Sequence, residues 1–171
     1  LLLGRAHGTA TVAGETWPLD GATVYAEKNW GSAFAGHWWW GQAHGLPGDA
    51  TVAFAGGRLL GGAPTAVVVA LGGQVLSWAP PLAGVRVATA PNRWRIAARG
   101  PRHSVEVHAE ADEADVHDLP VPVPAERRAV MRSRQHLAGR LTVTVRRGRR
   151  VVYAGESSLA GLERGEPSAR R

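Results

Sequence analysis

The chain has no cysteine, one methionine, two phenylalanines and two tyrosines in its 171 residues. Without cysteine it can build neither a disulfide framework nor a thiolate metal site. That suits a reducing compartment, and a cytoplasmic location is the expectation. Long hydrophobic runs are lacking as well. The three leucines that open the chain are too few for a signal-peptide core or a membrane span. The opening "LLLGRAHG" also carries no methionine, so the chain is expected to begin inside a longer protein. Lysine is almost missing, because Lys28 stands alone and the net charge of +6 comes from arginine. Arginine beside abundant alanine and glycine suggests a GC-rich codon supply as much as a charged partner. There is no arginine-rich helix, RNP-type motif or zinc-finger spacing, so nucleic-acid binding is not expected. There is no P-loop, no G-x-G-x-x-G after a strand and no G-x-S-x-G. Ser157 and Ser158 have no base nearby in the sequence. No cofactor is expected.

What the chain does have is a series of short runs rich in Val, Thr and aromatics. Examples are "GATVYAEKN", "GHWWWGQAH", "DATVAFAGG", "TAVVVALGG", "RWRIAARG", "HSVEVHAE" and "RLTVTVRR", punctuated by Gly, Pro, Asn and Asp. "ALGGQV" and "VRRGRRV" have the form of hairpin turns, with glycine supplying the positive φ. Short strands at regular spacing predict an all-β, antiparallel barrel or sandwich. The one helix candidate is residues 124–139, "PAERRAVMRSRQHLAG". Its arginines are spread around the whole helical wheel, which leaves a strand open. Residues 112–124 carry Pro120, Pro122 and Pro124 and are expected to form an extended loop, since prolines do not sit in a central strand. One domain over residues 1–165 and a disordered basic tail over 166–171 are expected.

The densest chemistry lies in "YAEKNWGSAFAGHWWWGQAHG", which holds four of the seven tryptophans and the single lysine. If "GHWWWGQAH" is a strand, Trp38, Trp40, Gln42 and His44 share one face and His37, Trp39, Gly41 and Ala43 the other. A solvent face seldom carries two tryptophans, and a core face seldom carries Gln and His. A ligand pocket needs apolar walls with a few placed polar groups, although a structural aromatic cluster is the alternative. In the preceding run Tyr25, Glu27 and Asn29 alternate with Ala26, Lys28 and Trp30. As a strand away from an edge, this run would turn either Glu27 or Lys28 inward. A carboxylate drawn out of water holds its proton and can act as an acid. The plainer reading is an ion pair with an arginine on an open face.

These residues resemble the signature of the tocopherol cyclase family, in which an E-K-N-W-G strand precedes an aromatic W-x-W-x-Q strand. The ending "SSLAGLERG" is similar to that family's C-terminal close. Two departures are Ala35, where the family usually has proline, and His44, where it often has asparagine. The resemblance implies a lipocalin-like, all-β architecture of two barrel-like halves, of which this chain would be the C-terminal one. It also implies an isomerase activity of vitamin E biosynthesis. A prenylated hydroquinone has its side-chain alkene protonated, and its own phenol oxygen closes on the tertiary cation to give a chromanol.

That chemistry explains the residue types. Alkene protonation needs a poorly solvated acid. The cation is stabilised by π faces, of which tryptophan is the best. Water must be excluded or the cation is hydrated. The catalytic set implied is Glu27, Lys28 and Asn29. The binding set is Tyr25, Trp30, Trp38, Trp40, Gln42 and His44. Two rivals use the same pocket: a non-catalytic lipocalin-like carrier of an isoprenoid or quinol lipid, and a hydratase of an isoprenoid alkene. The carrier would tolerate loss of Glu27 and Lys28. The expected partner in every case is an apolar small molecule.

Elsewhere, His103, His108, His117 and His136 raise the question of metal. Ser104, Glu106, His108 and Glu110 share a strand face opposite Val105, Val107 and Ala109, which is the pattern of a solvated polar face. His37 and His44 have opposite parity, which argues against a shared ion. No metal site is expected. Arg146, Arg147, Arg149 and Arg150 surround a predicted turn, a solvated tip at which contact with anionic lipid at a membrane surface is also feasible.

Overall fold

Strands form where runs of β-branched and aromatic residues find a paired neighbour. The structure, a computed structural model, describes residues 2–29, 35–59 and 61–167. By their internal contacts, residues 1–30 and 31–171 are two compact units. In the first unit β1 (Gly4–Ala6) pairs with β4 (Ala22–Val24), and β2 (Thr9–Val12) pairs with β3 (Glu15–Pro18), all antiparallel. The strand expected to run through Tyr25 to Asn29 ends at Val24, and residues 25–29 belong to no strand.

The second unit is one antiparallel sheet. Its strands are β5 (His37–Leu46), β6 (Ala50–Arg58), β7 (Thr65–Leu71), β8 (Gln74–Trp78), β9 (Gly84–Ala90), β10 (Arg93–Arg99) and β11 (Ser104–Glu110). The last three are β12 (Val116–Val123), β13 (Arg128–Arg147) and β14 (Arg150–Pro167). The order is β8-β7-β6-β5-β14-β13-β11-β10-β9, with β12 pairing β13 beside this path. β7 and β9 approach one another, so the sheet curls into a nearly closed barrel. The all-β antiparallel barrel expected from the sequence is therefore the architecture of this unit.

Alternation builds the barrel's inside. Along β10 and β11 every second residue is buried, with Trp94, Ile96, Ala98, Val105, Val107 and Ala109 inward. They join Trp39, Phe54, Val67, Val69, Trp78, Leu141, Val143 and Leu162 in one core. Glu106, His108 and Glu110 are exposed opposite them, as the pattern of "SVEVHAE" predicts. Both expected hairpins are present. Gly72 and Gly73 turn β7 into β8 with positive φ, and Gly148 lies in the turn from β13 to β14.

One open alternative is decided and one expectation is corrected. The helix candidate is a strand from residue 128 onward: it opens β13, which runs for 20 residues after a short 3-10 turn at Pro124–Glu126. Its scattered arginines find carboxylates on flanking segments instead of a helical face: Arg132 with Glu166 and Asp118, and Arg134 with Asp118 and Glu113. The proline-rich segment is a strand, not a loop. Among the described residues β12 is paired on one side only, by β13, so the donors that Pro120 and Pro122 lack are missing where the pairing is single-sided. β14 runs to Pro167.

Candidate functional site

β5 is the element that gathers the aromatic residues. It is paired on one side by β6 and on the other by β14, so its backbone direction is fixed along its length. Its burial alternates as the period of two requires. Trp39, Gly41 and Ala43 are buried on the core side, and Trp38, Trp40, Gln42 and His44 are half-buried on the opposite face. The Trp39 indole N–H donates to Thr65 Oγ1 at 3.2 Å, which satisfies its polar atom inside the core. His37 is exposed and of opposite parity to His44, as expected. Burial pushes the His44 imidazole below its ordinary pKa, favouring the neutral ring.

The face opposite the core extends from β5 onto β14. In register, Trp38 stands beside Gly165, Trp40 beside Glu163 and Gln42 beside Gly161. Glu163 accepts from the Trp38 indole N–H at 2.5 Å and from the Gln135 amide of β13 at 3.3 Å. Three strands thus place two indoles, two amides, an imidazole and a carboxylate on one face. Near the start of β5 a cavity of about 160 Å³ is lined by His37, Trp38, Trp39, Arg58, Thr89, Arg164 and Gly165. The expected cavity-lining residues Trp40 and Gln42 are not among those lining it, and Trp39 is.

Glu27, Lys28 and Asn29 lie in the first unit and are exposed, and Tyr25 is half-buried. The Glu27 carboxylate accepts from the Tyr25 hydroxyl and, at 2.6 Å, from the Asn29 amide. Side chains two residues apart thus converge on one carboxylate, because this backbone is not pinned by a strand partner. Trp30 lies outside the described residues.

Sequence reasoning missed Glu163 and Gln135. The signal for Glu163 was the alternation in "LAGLERG", which puts Leu162 in the core and Gly161, Glu163 and Gly165 on the other face. Gln135 was hidden in residues 124–139, for which helix and strand were both left open. Of the four histidines considered for metal, His136 is buried in the barrel edge-to-face against Trp94, with ring centroids 6.0 Å apart. His108 is exposed on β11.

The fold and this face define an all-β barrel protein with an aromatic and polar surface built on neighbouring strands. The family model described as tocopherol cyclase-like matches residues 1–166, and the chain belongs to that family. A probable chloroplastic tocopherol cyclase of Oryza sativa subsp. japonica is 29% identical over 110 residues, which cover 58% of this chain and 23% of the rice protein. The match therefore spans less than a quarter of that relative's length. Among solved structures, kievitone hydratase from Nectria haematococca aligns with a TM-score of 0.48 at 15% identity, over 96% of this chain and 51% of that one. No helix among the described residues is long and apolar enough to cross a membrane.

Proposed function

We propose that this chain serves the cyclisation of a prenylated hydroquinone to a chromanol, an intramolecular isomerisation. The observation that carries the reading is the face of Trp38, Trp40, Gln42 and His44 on β5, in a chain of the tocopherol cyclase-like family. Ring closure passes through a tertiary cation, and indole faces attract a cation through their quadrupole. The polar groups on the same face suit a quinol head group, whose hydroxyls need partners once removed from water.

Glu27 is the proposed proton donor to the alkene. Its carboxyl is exposed and accepts from Tyr25 and Asn29, so it serves as the acid once a bound prenyl chain excludes water and the carboxyl holds its proton. Lys28, the chain's single lysine, is proposed to orient the acid or to favour ionisation of the phenol. The net change is balanced: the alkene carbon gains a proton, the phenol oxygen forms the new C–O bond, and the phenol proton is released.

The test is Glu27→Gln in the full-length protein, with a prenylated hydroquinone as substrate. Turnover is expected to fall by roughly 10²–10⁴-fold with ligand binding kept. Turnover at the wild-type rate would remove Glu27 from the mechanism. Product analysis separates ring closure from hydration, since a hydratase leaves a tertiary alcohol. Binding of the substrate with no product at all is the outcome for a carrier.

A further inference from the structure

Glu163 shares a face with Trp38, Trp40 and Gln42 and stands in register beside Trp40. Its carboxylate is held by the Trp38 indole and the Gln135 amide, two donors that do not titrate. Its same-face neighbours on β14 are glycines, and the packing requires them. A Cβ on Gly165 would overlap the Trp38 ring. One on Gly161 would meet the Gln42 amide at 3.2 Å and the Trp40 ring at 3.6 Å. The two indoles therefore settle over bare backbone on either side of Glu163 and frame its carboxylate. Gln42 is the diagonal neighbour of Glu163 across β5 and β14, a separation of roughly 7–8 Å. Among the described residues Gln42 Oε1 is buried and receives no hydrogen bond. A buried acceptor with no donor is costly, and an O–H from a ligand would relieve it once the half-buried Gln42 side chain turns to meet it.

We infer that Glu163 and Gln42 are the paired acceptors for the hydroxyls of a hydroquinone head group, and that Glu163 takes the phenol proton during ring closure. This rests on the cyclase reading above. As the phenol oxygen shares an electron pair with the tertiary cation, the new C–O bond forms and the oxygen becomes a strongly acidic oxonium. Its O–H bond then breaks and the proton passes to the Glu163 carboxylate. An oxonium gives up its proton readily, so a carboxylate is base enough to take it. The proton gained at the alkene and the proton lost from the phenol cancel, so no co-reactant enters.

The experiment compares geranylhydroquinone with its dimethyl ether, which has the same prenyl chain and no O–H. Binding is read by quenching of tryptophan fluorescence, and needs no turnover. Wild type is expected to bind the hydroquinone more tightly than the ether. Glu163→Gln keeps an oxygen for the Trp38 indole but loses the charge. It is expected to weaken hydroquinone binding by about ten- to hundredfold and leave the ether unchanged. Gln42→Leu should do the same to a smaller degree. If Glu163→Gln does not fold, Glu163→Asp keeps the charge but draws it back, and should show the same selective loss. Equal wild-type affinity for the two probes, or variants that weaken both alike, overturns the inference and leaves Glu163 a structural residue. Failure of wild type to bind either probe overturns the cyclase reading itself, and this inference with it.

Discussion

Residues 25–29 and residues 37–46 are close in sequence and carry one family motif, yet they are organised differently. β5 is held on both sides, by β6 and β14, while Tyr25 to Asn29 belong to no strand. On β5 the pleat alone decides which side chain goes to the core and which to the opposite face. In residues 25–29 that rule has no backbone to act through, and side-chain hydrogen bonds to Glu27 set the arrangement instead. A period of two is a statement about a paired strand, and it loses its meaning one residue past the last pair.

The comparison breaks most visibly at Trp39. Trp39→Ala empties a buried site in the barrel core and should cost about 3–5 kcal/mol of stability. Trp40→Ala, one residue on but half-buried on the other face, should cost only about 1–2 kcal/mol. Urea unfolding midpoints measure both. Equal losses would mean that the two faces of β5 do not differ as described.

A smaller effect separates the barrel interior from the surface in pH. Burial lowers the pKa of His136 first of all; a hydrogen bond with the Asp112 backbone opposes this and the nearby Arg134 charge adds to it. A histidine whose pKa is depressed by folding binds its proton more readily when unfolded. Its contribution is therefore complete above the ordinary value of 6.5 and is lost as pH falls below it. His44 acts in the same direction, also through burial. The melting temperature should fall as the pH is lowered from 7 to 5, and His136→Gln should flatten that slope. A wild-type melting temperature that is level across this range would contradict the buried, neutral imidazole.

The smallest effect sharpens the other side of the comparison. Tyr25→Phe removes a donor to an exposed carboxylate and should change stability by less than about 0.5 kcal/mol. A loss as large as that of Trp40→Ala would show that residues 25–29 are held as firmly as a strand.

The barrel was legible because "TAVVVAL", "RWRIAAR" and "SVEVHAE" alternate cleanly and end in turn residues. β13 was harder. Its arginines occupy both faces, since their partners Glu113, Asp118 and Glu166 lie on segments distant in sequence. β12 was lost to its prolines, because single-sided pairing is a property of topology that a local window does not contain. The division of Trp38, Trp39 and Trp40 between two faces could be read directly. The place of Glu163 beside Trp38 and Trp40 could not, because it depends on which strand lies beside β5. That neighbour, β14, comes more than a hundred residues later in the chain.

The prolines of β12 carry a last consequence, for self-association. An open strand edge offers backbone donors to any other chain that can extend the sheet, a common route to aggregation. Here the strand that lies outermost over the first half of β13 has Pro120 and Pro122 within it and Pro124 just beyond. Each removes a donor, and the register shift between Val121 and Pro122 interrupts the regular spacing that an incoming strand would need. The same residues that disguise β12 in the sequence make this edge a poor template for sheet extension.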